Sequence, residues 1–300
     1  MRYWLCLTTV LGFLVCGACR PENARGVHVD AKLASLVPHA TTALGGIDVD
    51  RVKASGFYRR HSNELNLALL DQASGRLGLD PRRDLKEALL AWHSNQPLIL
   101  ARGTFSAEDI QPRIVALGAR ETRYRNRTLF GGPDEAVFFP EQNLLAAGPL
   151  SALHALIEGG NGGIPSPVRS RLENLPNSDQ VWAVSTEGFP VDRLPMRSSV
   201  TSGLSNLVRY LSAASIGAGL DEGAHFQAEL NCFSADGAKQ VHDALRGVIG
   251  MARLMTKDND LDMLRLYDAI QVEQDQKTIH VHADLPAELS DKLLKYLPRK

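Results

Sequence analysis

Two pairs of short apolar runs, each pair joined by a polar turn, stand out in the pattern of hydrophobic and polar positions. Each pair predicts a β-hairpin, because two strand-length runs separated by a few turn residues pair with each other. A stretch with helical spacing follows each pair. The runs are 136–139 with 144–147 and 269–272 with 278–281, and the helical stretches are 151–158 and 287–296. Since strands come in hairpins rather than singly between helices, we expect an α+β fold with antiparallel sheets.

A second pattern is a tripeptide that occurs twice in similar surroundings. Residues 105–107 and 233–235 both read Phe-Ser-Ala, and each follows a strand-like run and precedes a helical one. The serine suits a helix start, where its hydroxyl accepts a hydrogen bond from an otherwise unpaired amide. We therefore predict two similar α+β halves, each an antiparallel sheet with helices packed on one face. The glycine-rich segment 159–163 is the expected boundary, which assigns 37–163 to the first half and 164–300 to the second.

The first 18 residues have the pattern of an export signal. A basic residue, Arg2, precedes an apolar run from Leu5 to Ala18, and the chain turns polar at Arg20. This run of roughly 15 residues is shorter than the ~20 that a membrane-spanning helix needs. A signal peptide at 1–18 is therefore expected, and with it a location in the bacterial cell envelope.

Cys19 directly follows two small residues, Gly17 and Ala18. This order resembles the lipobox of bacterial lipoproteins, in which the cysteine becomes the first residue and carries the lipid. The resemblance implies that Cys19 anchors the protein to a membrane, with 19–36 as a tether. Because Cys16 stands where the family usually has leucine, ordinary signal-peptidase cleavage after Ala18 is the alternative, and it would leave a periplasmic or secreted protein.

The overall composition argues for a globular protein and against a nucleic-acid partner. With 44% hydrophobic and 22% charged residues, the 300-residue chain has enough apolar material for a sizeable core. The net charge of -1 gives no electrostatic reason to expect nucleic acid. Cys232 is the one cysteine besides Cys19 that follows the leader, so no disulfide framework is expected. Its apolar neighbours are typical of a small buried residue rather than a nucleophile.

The dipeptide Asp80-Pro81 is typical of a helix start, with a capping carboxylate followed by proline at the first helical position. It predicts a helix over 82–92. The surrounding octapeptide at 78–85, together with the apolar stretch at 43–50, resembles uncharacterised exported bacterial proteins of similar length. The resemblance implies an exported location and supplies no catalytic or cofactor-binding residue.

An arginine cluster is the main local charge pattern in this otherwise neutral chain. Arg120, Arg123, Arg125 and Arg127 lie within eight residues. On one continuous strand, Arg123, Arg125 and Arg127 would point to the same side. Three guanidiniums on one face favour an anion, such as a phosphate, a carboxylate or an anionic lipid headgroup. The alternative is a solvated edge strand whose charges prevent sheets from associating.

Two pairs of side chains are candidates for metal or acid–base sites. His280 and His282 share one side of a predicted strand, but a zinc site needs at least a third protein ligand, so a solvated strand face is expected. Asp48 and Asp50 are expected to serve as a turn residue and a helix cap. The chain also lacks the nucleophile-elbow, zinc-protease and phosphate-loop motifs. We therefore predict no metal, no cofactor and no catalytic residue.

These observations favour a non-catalytic envelope protein that works by binding or by a structural role at the membrane. Its expected partner is the membrane itself, through the lipid on Cys19. The alternative is an exported hydrolase whose active site is assembled in space from residues that are distant in sequence.

Overall fold

Antiparallel strands form one continuous sheet of 12 strands in the computed structural model. The structure describes residues 26–62, 80–93, 96–159, 162–188 and 207–293. The strands are β1 Thr41–Asp48, β2 Leu85–His93, β3 Gln96–Gly103, β4 Arg120–Tyr124, β5 Arg127–Gly131, β6 Glu135–Phe138, β7 Leu144–Pro149, β8 Val181–Ser185, β9 Leu211–Leu220, β10 Ala224–Cys232, β11 Ile270–Asp275 and β12 Thr278–Leu285. The described helices are α1 Ala31–Leu36, α2 Val49–Ala54, α3 Gly56–His61, α4 Pro81–Asp84, α5 Ala107–Ala116, α6 Leu150–Glu158, α7 Ser166–Asn174, α8 Ala235–Met255, α9 Leu261–Ala269 and α10 Ala287–Leu293. The predicted α+β class is confirmed.

The strand order is symmetric about the central pair β1 and β8. From one edge to the other it is β11-β12-β10-β9-β8-β1-β2-β3-β7-β6-β5-β4. Outward from the centre, β8-β9-β10-β12-β11 therefore corresponds to β1-β2-β3-β7-β6, and the β4–β5 hairpin is an addition at one edge. The two Phe-Ser-Ala tripeptides follow the corresponding strands β3 and β10. This shared order supports the duplication as a proposal, with the two half-sheets joined edge to edge.

The two faces of the sheet bury different sets of side chains. The front face, defined by Leu44, Leu89 and Trp182, packs against α1, α6 and α7 in the main core. The back face packs against α5 and α8. On β6, for example, Phe138 belongs to the main core while its neighbour Val137 packs with α5, as expected where successive side chains point to opposite faces. Helices thus cover both faces of the combined sheet, since apolar side chains line both.

Several local predictions are confirmed by the structure. The hairpins β6–β7 and β11–β12 pair as expected. The hydroxyl of Ser106 caps α5 by accepting from the amide of Glu108, and that of Ser234 caps α8 by accepting from Gly237. Serine hydroxyls at these positions satisfy amides that have no partner inside the helix.

The helix predicted over 82–92 is wrong beyond its first turn. Pro81 does begin a helix, but α4 ends at Asp84 and β2 follows directly. β2 lies between β1 and β3 in the sheet and pairs with both. Alternate residues such as Leu89 and Ala91 are fully buried on its front face. Long-range pairing on both sides therefore outweighs the local helix signal at Asp80-Pro81.

Part of the segment expected to be a tether belongs to the folded domain. Residues 26–36 lie on the front face, where the side chain of Leu33 in α1 is fully buried. The amide of Asp30 donates to the carboxylate of Glu87 at 3.1 Å, and the Asp30 carboxylate pairs with Arg102 at 3.1 Å. Burial of apolar side chains and these polar contacts hold the segment to β2 and β3.

Candidate functional site

The structure describes only one of the two cysteines that the sequence singles out. Cys19 lies outside the described residues, so its lipidation stays a prediction. Cys232, on β10, is buried in the cluster formed with α8, and burial raises the pKa of its thiol. A thiol held in its neutral form among apolar side chains is a packing residue and a poor nucleophile.

The three arginines predicted to share a strand face do not do so. Arg123 is the next-to-last residue of β4, Arg127 begins β5, and Arg125 lies in the turn between the strands with a φ of 52°. Arg127 is opposite Tyr124 in the register, so it lies on the side opposite to Arg123. The prediction of one continuous strand was wrong because a hairpin turn falls inside the cluster. Anion binding by these residues stays a proposal without its original geometric basis.

The tip of the β4–β5 hairpin is tied to α6. The ring of Tyr124 stacks on His154 with centroids 3.6 Å apart, and its hydroxyl donates to Glu158. Arg125 forms an ion pair with the same carboxylate at 3.2 Å. The hydrogen bond to Glu158 raises the pKa of Tyr124 and lowers that of Glu158. One of the three guanidiniums is thus already partnered.

The two aspartates near the end of β1 have structural roles. Asp48, not Asp50, is the N-cap of α2, and its carboxylate accepts from the amide of Arg51 at 2.9 Å. Asp50 lies in the first turn and pairs with Lys53 at 3.1 Å. The cap falls two residues earlier than predicted because β1 runs directly into α2 without a separate turn.

The two histidines of β12 both lie on the front face of the sheet and are exposed. His282 bonds to the carboxylate of Asp284 at 2.7 Å. Within the part of the chain that the structure describes, no group of three or more histidine, cysteine, aspartate or glutamate side chains is placed to hold a metal ion.

An apolar surface is left uncovered at the end of α8 and the start of α9. Large apolar side chains at the end of α8 and the start of α9 are 61–88% exposed. They are Val248, Met251, Leu254, Met255 and Leu261. No residue from Arg246 to Ala269 is buried, although this helical pair is rich in leucine and methionine. We call these five side chains the apolar hairpin surface.

The width of the apolar arc on α8 explains why the sheet does not cover Met251, Leu254 and Met255. At about 100° per residue, Val241 and Leu245 lie on the side that packs against the sheet. Met251, Leu254 and Met255 lie on the adjacent ~120° of the helix. The back face of β10 and β12 reaches the first side only, and the polar side carries residues such as Arg246. The surplus apolar arc is left in solvent.

A buried polar cluster joins the segment before β8 to β9 and β10. The carboxylate of Asp179 is fully buried and accepts at 2.7 Å from both His225 and Gln227. It lies directly over Gly217, where any side chain would occupy its place. The hydrogen bond to Asp179 raises the pKa of His225, and burial opposes that shift. These contacts indicate a structural role for the Asp179 carboxylate.

A polar groove of about 260 Å³ lies beside this cluster on the front face. Its polar lining residues are Asn174, Ser215, Gln227, Glu229, His280 and His282. Arg171 of α7 adjoins it, donating to the hydroxyl of Ser215 at 3.3 Å and to the amide oxygen of Asn231 at 2.8 Å. Burial lowers the pKa of Arg171, and the Glu229 carboxylate opposes that shift.

Sequence reasoning did not single out Arg171 or Glu229. The two residues are 58 positions apart, and each stands in a stretch of ordinary polarity. Only the packing of α7 against β1 and β8 lets the Arg171 side chain reach β9 and β10 beside this groove. The His280 and His282 alternation was the one signal in the sequence that pointed to this face.

Among the described helices, none combines the length and the apolar character needed to cross a membrane. No family model matches the sequence. No curated protein matches it either.

Solved structures of TP0453 resemble this chain in fold. Crystal form III has a TM-score of 0.50 at 10% sequence identity, covering 89% of this chain and 99% of that one. Crystal form I has a TM-score of 0.49 at 10% identity, covering 89% of this chain and 98% of the other. The likeness to form III is one of fold and says nothing of function.

Proposed function

We propose that the chain is a non-catalytic protein of the bacterial cell envelope that works at a membrane surface. In this proposal the leader directs export and a lipid on Cys19 anchors the chain. The apolar hairpin surface supplies a second attachment to the same membrane. The single observation that carries the proposal is the set of five large apolar side chains left in solvent by α8 and α9.

The energetics favour a membrane as the surface that covers these side chains. Exposed apolar area is costly in water, at roughly 25 cal/mol per Å². A helix with a wide apolar arc and a polar side that carries basic residues is typical of helices that lie in the membrane interface. Lys239, Arg246 and Arg253 are on the polar side of α8, where Arg253 pairs with Asp268. A single lipid chain gives marginal membrane binding, so a second attachment would make the anchoring stable.

Vesicle sedimentation of the Cys19→Ala chain tests the apolar attachment separately from the lipid. The unlipidated protein should sediment with phosphatidylcholine vesicles. A variant with Met251→Gln, Leu254→Gln and Met255→Gln should lose most of that retention, because the burial energy of three side chains is removed. Its fold should be preserved, since none of the three is buried.

The matched control changes exposed apolar residues elsewhere. Val115 and Leu117, near the end of α5, are 46% and 56% exposed. Their replacement by glutamine should leave vesicle retention intact. If the α8 variant is retained as well as the unlipidated parent, the membrane proposal is wrong. If the parent instead forms dimers in light scattering that the α8 variant lacks, the surface is an interface between copies, which also overturns the proposal.

A further inference from the structure

Glu229 lines the polar groove on the front face and Arg171 adjoins it, and the two opposite charges make no ion-pair contact with each other. Arg171 donates only to the neutral groups of Ser215 and Asn231. Among the described residues it forms no ion pair with a carboxylate, and neither does Glu229 with a cation. A half-buried guanidinium normally contacts a carboxylate, because burial removes its hydration, and the nearby Glu229 carboxylate offsets only part of that cost.

The guanidinium is fixed in place by its neighbours. The amide of Asn231 accepts from Arg171 through its oxygen and donates to the hydroxyl of Thr278 at 3.2 Å through its nitrogen. Leu172, the next residue on α7, is buried in the main core and fixes the helix. Arg171 is therefore held between β9 and β10, and its other guanidinium N–H groups donate to none of the described residues.

Glu229 lies between the two anchoring points of the guanidinium. It is opposite Ser215 in the register and two residues before Asn231 on the same strand face. Its other neighbour in the register is His280 on β12. Both Glu229 and His280 line the groove, and neither side chain makes a hydrogen bond to a described residue. The unpaired carboxylate therefore faces the groove next to a fixed positive charge.

We propose that this groove binds a small zwitterion that carries a primary ammonium group and an acidic group a few bonds apart. The acidic group would bind Arg171 and the hydroxyl of Ser215, and the ammonium would donate to Glu229. An anion alone would be repelled by Glu229, and a cation alone by Arg171. The volume of about 260 Å³ is that of roughly nine water molecules, which suits a molecule of similar heavy-atom number.

This inference does not rest on membrane attachment, since the groove is on the front face and α8 is on the back. Two kinds of molecule carry these two groups: a free solute such as phosphoethanolamine, and the headgroup of phosphatidylethanolamine. Vesicles distinguish the two sources. The lipid with a primary ammonium should bind through Glu229, whereas the quaternary ammonium of phosphatidylcholine has no N–H to donate.

Isothermal titration of the full chain with O-phosphoethanolamine is the direct test. We expect saturable binding of one molecule per chain, with inorganic phosphate and ethylamine each binding at least tenfold more weakly. Glu229→Gln should weaken binding of the zwitterion by about tenfold or more, the range for loss of one charge-assisted hydrogen bond. Glu273→Gln is the matched control, because Glu273 flanks His280 from the other side, on β11, outside the groove.

The Glu229 variant should fold like the parent, since that side chain makes no structural hydrogen bond to a described residue. Arg171→Lys gives a second test that retains the charge and should weaken binding through loss of the fork of donors. The α8 triple variant should bind the zwitterion normally, which separates this site from the membrane proposal. Absence of saturable binding, equal binding of phosphate alone, or an unaltered affinity in Glu229→Gln would overturn the inference.

If vesicles containing phosphatidylethanolamine compete with the free zwitterion for the groove, the ligand is a lipid headgroup. If only the free zwitterion binds, the ligand is a solute. Either result supports the site, and the ring signals of His280 in NMR spectra should shift on binding in both cases, because that side chain lines the groove.

Discussion

Trp182 lies over Gly46 across the ladder that joins β8 to β1, and a Cβ atom at Gly46 would overlap the indole ring. This contact is at the junction of the two half-sheets, where Trp182 is buried in the main core. The indole can therefore lie flat against the sheet only because residue 46 has no side chain.

Replacing Gly46 with alanine should destabilise the protein by about 1–3 kcal/mol, the usual cost of overpacking a core. The buried indole cannot move aside without displacing its neighbours. Gly45→Ala is the matched control, because a Cβ there would contact only the Trp182 carbonyl oxygen at 3.5 Å and the Ala183 Cβ at 3.8 Å. Urea unfolding of both variants gives the comparison. Equal stability of the two would show that the indole position does not depend on Gly46.

The pair of His225 and Asp179 should make stability depend on pH. The hydrogen bond to Asp179 raises the pKa of His225 above its unfolded value. The stability it contributes is fully present below the unfolded pKa of about 6.5 and is lost as pH rises through the folded pKa. The free energy of unfolding should therefore fall as the pH rises above about 6.5. His225→Gln, which can still donate to Asp179, should flatten that fall.

Unfolding curves at several pH values check the histidine prediction. His280→Gln is the control, since His280 is exposed and makes no hydrogen bond to a described residue. A wild-type protein whose stability rises over this pH range, or a His225 variant with the same slope as the parent, would contradict it.

Glu87 should be replaceable by glutamine but not by alanine. Burial raises the pKa of Glu87, although the Asp30 amide and Arg102 favour its charged form. Because the folded pKa is above the unfolded one, ionisation of Glu87 costs stability as pH rises above the unfolded value of about 4.3. Glutamine removes that cost at pH 7 and still accepts from Asp30, so stability should be unchanged or higher.

The alanine variant of Glu87 leaves the Asp30 amide without its acceptor and should lose about 1–3 kcal/mol. Thermal and urea unfolding at pH 7 measure both variants. A glutamine variant as unstable as the alanine variant would mean that the carboxylate charge itself is required.

The arginine hairpin can be tested by changing Arg123, Arg125 and Arg127 together to glutamine. Stability should change by less than about 1 kcal/mol, because exposed pairs such as Arg125 with Glu158 contribute little. Retention of the unlipidated chain on anionic vesicles should become less sensitive to salt, since three cationic groups at one hairpin tip are removed. Retention on neutral vesicles should not change. Identical salt sensitivity in the parent and the variant would contradict the proposal that these arginines bind an anion.

Much of the local structure follows from the sequence alone. The serine caps of α5 and α8 and the hairpins β6–β7 and β11–β12 depend on residues within a few positions of each other. Turn residues, alternating apolar positions and a hydroxyl before a helix are sufficient to specify them. The α+β class follows from the same hairpins.

The tertiary structure decided the elements in which distant residues compete with local preference. Residues 85–93 become a strand because β1 and β3 pair with both of their edges, and the turn at Arg125 separates Arg123 from Arg127. The groove that joins Arg171 to Glu229 depends on the Arg171 side chain reaching from α7 to Ser215 and Asn231, which come 44 and 60 residues later in the chain. Contacts of this kind are set by the packing of whole elements, and no short pattern in the sequence encodes them.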